Sequence, residues 1–322
     1  MYALEYRLLA AVLLALAPLA AHAQNYPTRP VRLIVPFPPG GSLDVVARPL
    51  AAKMSELMGQ QVVVDNRSGA SGNIGSELVA RAAPDGYTAL INTLPLVVNP
   101  SMFSKLPFDV TRDLAPVSLL AAAPFVLVVH PSVPAKTVKE LVALAKSRPG
   151  KMNYASAGNG TNLHIAAELF KNLTATDIVH VPYKGGGPAL TAVLAGESDM
   201  SFLSVIAAAP YVKAGRMRGI AVTTTRRSAV LPELPTVAEA GVKGYEFASW
   251  FAILVPAGTP QSVIAALNGF ITKALRSPEL QERLGREGTD IIASTPEELG
   301  AHLKAELARW ARVVKQAGIR AD

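Results

Sequence analysis

Three times the chain passes from a short apolar run through a glycine-rich turn into a segment of helical spacing. The turns are Pro39-Gly-Gly-Ser42, Gly158-Asn-Gly-Thr161 and Gly185-Gly-Gly-Pro188. The first unit shows the logic. Residues 31–35 form an apolar run of strand length. Pro36, Pro38 and Pro39 cannot continue a sheet ladder. Gly40 and Gly41 allow a tight turn or close approach to a ligand, and Ser42 stands where a helix N-cap is expected. Leu43, Val46, Ala47, Leu50 and Met54 then recur at helical spacing. A helix entered this way presents unbonded N–H groups and partial positive charge ahead of it, which suits an anion. One such turn serves the fold as readily as a ligand; the repetition is what points to a shared site.

Between these units the pattern keeps alternating. Strands are expected at 61–65, 87–91, 124–130, 177–183, 199–203, 217–223 and 247–255. Helices are expected at 74–82, 137–147, 204–214, 236–240, 261–275, 278–287 and 296–316. Residues 92–116 read as irregular and proline-rich. Alternating strand and helix predicts an α/β fold with parallel sheet covered on both faces. The 322 residues suffice for two domains. The expected division is residues 24–124 plus 251–322 as domain 1 and 125–250 as domain 2, with the terminal helices packed on domain 1. Two such domains facing each other would aim several helix N-termini into one cleft. That geometry holds a carboxylate with backbone N–H groups, each charge-assisted bond being worth about 1.5–3 kcal/mol.

Residues 8–20 are apolar, follow Arg7 and precede Ala21-His22-Ala23. This predicts a secretory signal peptide over residues 1–23, cleaved after Ala23, and a periplasmic mature protein. Without cysteine the chain offers no disulfide, thiolate metal site or lipoprotein anchor. The formal charge of +7 suits an anionic partner, but the basic residues are scattered and do not predict nucleic-acid binding.

Other chemistries find little support. There is no G-x-S-x-G elbow, Walker A loop or H-E-x-x-H pair. His164 lies in the first turn of the second unit's helix, either as a local hydrogen bonder or at the ligand. Asp44 either caps its helix or accepts from a ligand amine or a bridging water. Tyr183 and Phe37 line pocket walls or pack in the core, Asp199 serves a turn or the ligand, and Trp250 a hinge, the core or the ligand.

At these residues the chain resembles the Bug receptors, the periplasmic substrate-binding proteins of tripartite tricarboxylate transporters. The matching stretches include Pro36-Phe-Pro-Pro-Gly-Gly-Ser-Leu-Asp44, Val64-Asp-Asn-Arg67, Gly72-Asn-Ile-Gly75 and Pro84-Asp-Gly-Tyr-Thr88. Ser156-Ala-Gly-Asn-Gly-Thr161 with His164, Val181-Pro-Tyr-Lys-Gly185, Leu234-Pro-Thr-Val-Ala-Glu-Ala-Gly241 and Pro256-Ala-Gly-Thr-Pro260 follow in order. The resemblance implies a type II periplasmic-binding-protein fold: two α/β domains, a ligand cleft and two crossing strands, closing by hinge motion. It also implies a monomeric receptor that binds a small organic acid or related carboxylate without a cofactor or metal. The receptor would deliver that acid to the transporter's membrane subunits.

The ligand-binding set expected from both readings is Phe37, Gly40, Gly41, Ser42, Asp44, Ser156, Gly158, Asn159, Gly160, Thr161, His164, Tyr183 and Asp199. Ser68, Ser71, Ser198 and Phe251 depart from the family pattern, and Ser71 and Phe251 are expected to border the cleft. Two alternatives stand beside the receptor: a periplasmic hydrolase-like enzyme using Ser42 or Ser156 with His164, and a sensor receptor for a signalling partner.

Overall fold

The first three apolar runs form β1 (Val31–Val35), β2 (Val62–Asn66) and β3 (Thr88–Asn92), parallel and in the order β2-β1-β3. They are linked by α1 (Ser42–Met58) and α2 (Asn73–Ala80). This computed structural model describes residues 26–286 and 288–317; the expected signal peptide lies outside the described residues. Beyond β3 come α3 (Pro95–Met102), the long β4 (Leu114–Val129) and α4 (Val138–Ser147).

The second half repeats the pattern. It runs β5 (Asn153–Ser156), α5 (Asn162–Thr174), β6 (Val179–Pro182), α6 (Gly186–Ala195), β7 (Met200–Ser204), α7 (Val205–Lys213) and β8 (Arg218–Val222). β5 lies parallel to β6 and β7. The chain then returns through β9 (Ala248–Pro256), α8 (Gln261–Leu275), α9 (Pro278–Arg286), β10 (Asp290–Ile291) and α10 (Pro296–Ala317).

Two antiparallel strands join the halves. β9 pairs with β3 on one side and with β4 from Leu114 to Pro124 on the other. From Phe125 onward β4 changes partners and pairs with β7 and β8. β4 is buried along most of its length, and its apolar run, interrupted by Ser118, suits a strand covered on both faces.

The structure departs from the sequence reading at several points. The stretch 92–116 contains α3, because Leu96, Val97, Val98 and Met102 are buried in the core and Pro95 occupies the first turn, where proline is tolerated. Residues 236–240 form turns, not a helix, and Thr236 bridges to Val222 as a strand-like contact. α8 and α9 pack on α1, and α10 packs on α3 and β4 and reaches beyond them to α5. Its stripe Leu299, Leu303, Trp310 and Val314 is buried, and Trp310 meets Phe247 edge-on at 6.1 Å. A helix of 22 residues is about 33 Å long, enough to span both halves.

Candidate functional site

A cavity of about 90 Å³ lies where the two halves meet, with room for several waters or a small ligand. Four helix starts form its wall. Gly41, Ser42 and Leu43 open α1; Thr93 and Pro95 open α3; Thr161, Asn162 and Leu163 open α5; Gly185, Gly186 and Gly187 open α6. Each follows the carboxyl end of a parallel strand, β1, β3, β5 or β6, where ligands of open α/β sheets gather. The first N–H groups of α1, α5 and α6 have no intrahelical acceptor, so the wall carries partial positive charge; at α3, Pro95 has no N–H and Leu96 and Val97 already donate to the Thr93 and Leu94 carbonyls. The rest is apolar: Phe37, Pro38, Pro39, Phe125, Ala157 and Pro188. Among the described residues no charged side chain lines this cavity.

The local caps differ from expectation. Gly41, not Ser42, is the N-cap of α1, and its helix start has no side-chain cap bond. Ser42 is thereby the first helical residue, on the cavity wall. Thr161 is the N-cap of α5, but its hydroxyl donates to the Gly158 carbonyl at 2.7 Å instead of accepting from the helix. Pro188 is the third residue of α6.

Of the expected residues, Phe37, Gly41, Ser42 and Thr161 line the cavity. The others do not, and each has another task. Asp44 is 4% exposed and accepts from Gly40 N at 3.0 Å, Arg48 Nε at 2.8 Å and Asn66 Nδ2 at 3.1 Å. Burial works to raise its pKa, but the Arg48, Gly40 and Asn66 bonds outweigh it and hold the carboxyl below its ordinary value. Its oxygens hold the Gly40 turn. Asp199 stands at the amino end of β7, opposite the cavity, and accepts from Asn153 N at 2.8 Å. Tyr183 packs against the core and lies 3.4 Å from Ser198 through its hydroxyl. Phe251, expected at the cleft, is buried in the core.

Gly158, Asn159 and Gly160 form a loop that docks on the opposite half. Ser71 donates its hydroxyl to the Asn159 carbonyl. Gly160 (φ +75°) approaches Asn99, and Gly185 (φ +120°) approaches Pro38 so closely that a Cβ there would stand 3.2 Å from Cγ. The halves are therefore in contact around the cavity.

Sequence reasoning missed Thr93, Pro95, Phe125 and Asn162. Thr93 directly follows a strand, as the glycine turns do, but lacks the glycine that marks them. Its hydroxyl lies 2.7 Å from Ser249 Oγ, and Asn162 Nδ2 donates to both, at 3.2 and 2.9 Å. This cluster joins α5 to β9 and to the start of α3 at one side of the cavity.

The family described as "Tripartite tricarboxylate transporter family receptor" matches residues 46–319. The chain belongs to this receptor family. It is 41% identical over 320 residues to a Pseudomonas sp. strain P51 protein from the tcbD–tcbE intergenic region, covering 98% of this chain and 95% of that one. It is 38% identical to BugT of Bordetella pertussis, covering 92% of each. Among solved structures, R. palustris Rpa4515 with adipate superposes with a TM-score of 0.88 at 40% identity, over 92% of this chain and 99% of that one. MatC from Rhodopseudomonas palustris with bound malate gives 0.86 at 32%, over 90% and 100%. The fold is that of the type II periplasmic binding proteins.

In this receptor, the serine and histidines expected of a hydrolase are arranged otherwise. Ser156 Oγ lies 2.5 Å from His180 Nε2, not against His164, and accepts from Gly158 N at 3.0 Å. His164 Nδ1 accepts from Gly160 N at 3.0 Å. His180 is stacked between Tyr154 and His164, at 4.8 and 4.4 Å. Burial pushes both histidines down to about 4; for His180 the neighbouring His164 adds to the effect. Glu168 accepts from Tyr154 Oη and Lys171 Nζ, both at 2.6 Å. The cluster holds the loop 156–161 from behind and does not line the cavity.

Proposed function

We propose that the chain is a periplasmic solute receptor that binds a small carboxylate in this cavity and delivers it to the membrane subunits of a tripartite tricarboxylate transporter. The observation that carries the reading is the convergence of four helix N-termini on one cavity with apolar walls. Backbone N–H groups and helix dipoles supply the attraction for an anion where no cationic side chain does. Adipate in Rpa4515 and malate in MatC are acids of the expected class. Residues 1–23 would direct export and be removed, and the receptor would act as a monomer.

The two lobes correspond to residues 24–124 with the C-terminal segment, and the segment from Phe125. The change of partners of β4 between Pro124 and Phe125 supports the first boundary. For the return, β9 pairs only with β3 and β4 from Ala248 onward, which favours a crossing just before Ala248 over one at residue 251. Binding energy would favour the closed arrangement of the lobes over an open one. A hydrolase built on Ser156 is not favoured, since its hydroxyl is fully buried and paired with a histidine behind the loop.

A thermal-shift screen of residues 24–322 tests the proposal, using mono-, di- and tricarboxylates with neutral amides as controls. A ligand at 100 times its Kd adds about 2.7 kcal/mol of stability. Stabilisation by acids, without their consumption and without response to amides, is the expected result. Stabilisation by amides alone, or turnover of the acid, would overturn it.

A further inference from the structure

A groove of about 540 Å³ lies at the opposite end of α5 from the cavity. The cavity meets Thr161, Asn162 and Leu163 at the start of this helix; the groove meets Leu173 and Thr174 at its end. A helix of 13 residues is about 20 Å long, so the two places are separate.

One bank of the groove is α4. Lys139, Val142 and Lys146 recur there at i, i+3 and i+7, which sets them in one stripe along the helix. The two lysines stand two turns apart, about 10 Å along the axis. Lys243, on the turn that leads to β9, stands on the other bank. The floor between them is apolar. Val142 is half-buried, Val242 is buried, and Leu173 is 42% exposed.

The charge on this surface has one sign. Among the described residues no acidic side chain lines the groove. Lys53 and Lys171 pair with Glu56 and Glu168, whereas Lys139, Lys146 and Lys243 are exposed and meet no carboxylate among the described residues. The neighbouring acids are engaged elsewhere: Glu140 accepts from Lys136 N, and Glu239 from Arg227 Nε and Thr236 N. Lysine stems cover apolar surface while their ammonium groups stay in water. Such a groove is complementary to a segment that carries an apolar side chain between carboxylates. A bilayer matches it less well, because the floor is recessed between α4 and the turn and a flat face would touch only the rim.

We propose that this groove seats a short acidic segment of a partner protein, with an apolar side chain on the floor beside Leu173 and carboxylates against Lys139, Lys146 and Lys243. The contact is independent of the acid held in the cavity. A partner seated there grips the half of the molecule that carries the starts of α5 and α6.

Selection of a displayed library of random dodecapeptides on the mature protein tests it. The enriched peptides are expected to carry Asp or Glu on both sides of a Leu, Ile or Phe, and to lose affinity as salt is raised. Two double variants, Lys139→Gln with Lys146→Gln and Lys139→Glu with Lys146→Glu, should bind those peptides about three- and tenfold more weakly, in that order. Leu173→Ser should also weaken them. The replaced side chains are all exposed, so each variant should melt as the wild type does and keep its affinity for carboxylates. No enrichment, enrichment of basic or uncharged peptides, or equal binding by the wild type and both double variants would overturn the proposal and leave the receptor reading standing. Binding to phosphatidylglycerol vesicles that the charge reversal abolishes, with no peptide selected, would overturn it in favour of a membrane surface.

Discussion

A Cβ built on Gly160 would stand 2.8 Å from Oδ1 of Asn99 on the opposite half of the molecule. Gly160 thus lets the loop before α5 approach the middle of α3 on the opposite half. Gly160→Ala is expected to wedge the halves apart and weaken carboxylate binding at least tenfold. Gly215 provides the control: its φ is +68°, and its Cβ would meet nothing within 4 Å. Both substitutions carry backbone strain of about 1–2 kcal/mol, but only Gly160→Ala should change the Kd. Equal Kd values in the two variants would remove Gly160 from the closing contact.

Ser42 is the first residue of α1 and faces the cavity. Ser42→Asp adds a charge that the helix dipole favours by about 0.3–1 kcal/mol, so the melting temperature should hold or rise. The same charge should repel an incoming carboxylate and raise its Kd by at least tenfold. Calorimetry beside a melting curve separates the two effects, and unchanged affinity would place the ligand elsewhere.

Trp250 on β9 and Trp310 on α10 both donate their indole N–H groups to Glu306, at 3.2 and 3.0 Å. Glu306 fastens the last helix to the crossing strand. Glu306→Leu leaves two buried donors unmatched and should destabilise the protein by about 2–5 kcal/mol. Glu306→Gln keeps an acceptor and should cost less. Urea unfolding followed by tryptophan fluorescence measures both; equal losses would show that packing, not these bonds, holds α10.

His164 and His180 are held down to about 4 in the folded protein, whereas an unfolded histidine titrates near 6.5. Between those values the unfolded chain binds more protons, so stability is complete above about pH 6.5 and falls as pH drops toward 4. Protonating His164 also removes the acceptor of the Gly160 N–H, so ligand binding should weaken in the same range. A His164→Gln, His180→Gln double variant should flatten the melting temperature between pH 6.5 and 4. A wild-type curve already flat there would contradict this account.

The opening strand–glycine–helix unit was legible because its signals are local: prolines end the strand, glycines turn the chain, and apolar residues mark the helix face. The same signals located Ser42 and Thr161 on the cavity wall. They left Asp44 and Asp199 open between a loop and the ligand, because a carboxylate near a turn looks alike in sequence whether it faces a cavity or braces a loop. Arg48 and Asn66 turn Asp44 inward, and Asn66 is on β2, beyond the reach of local reading. Helix α3 was hidden by Pro95 and Pro100, whose cost is offset by burial of Leu96, Val97, Val98 and Met102.

By itself the sequence determined the alternation of strand and helix, the glycine turns that open the helices and the family to which the chain belongs, since these rest on neighbouring residues and their order. The tertiary structure alone decided which of those turns share a cavity, that Thr93, Ser249 and Asn162 meet there, and that His180, not His164, pairs with Ser156. Such contacts join residues 24 to 156 positions apart. They depend on sheet order and on how the two halves close, and no local pattern carries that information.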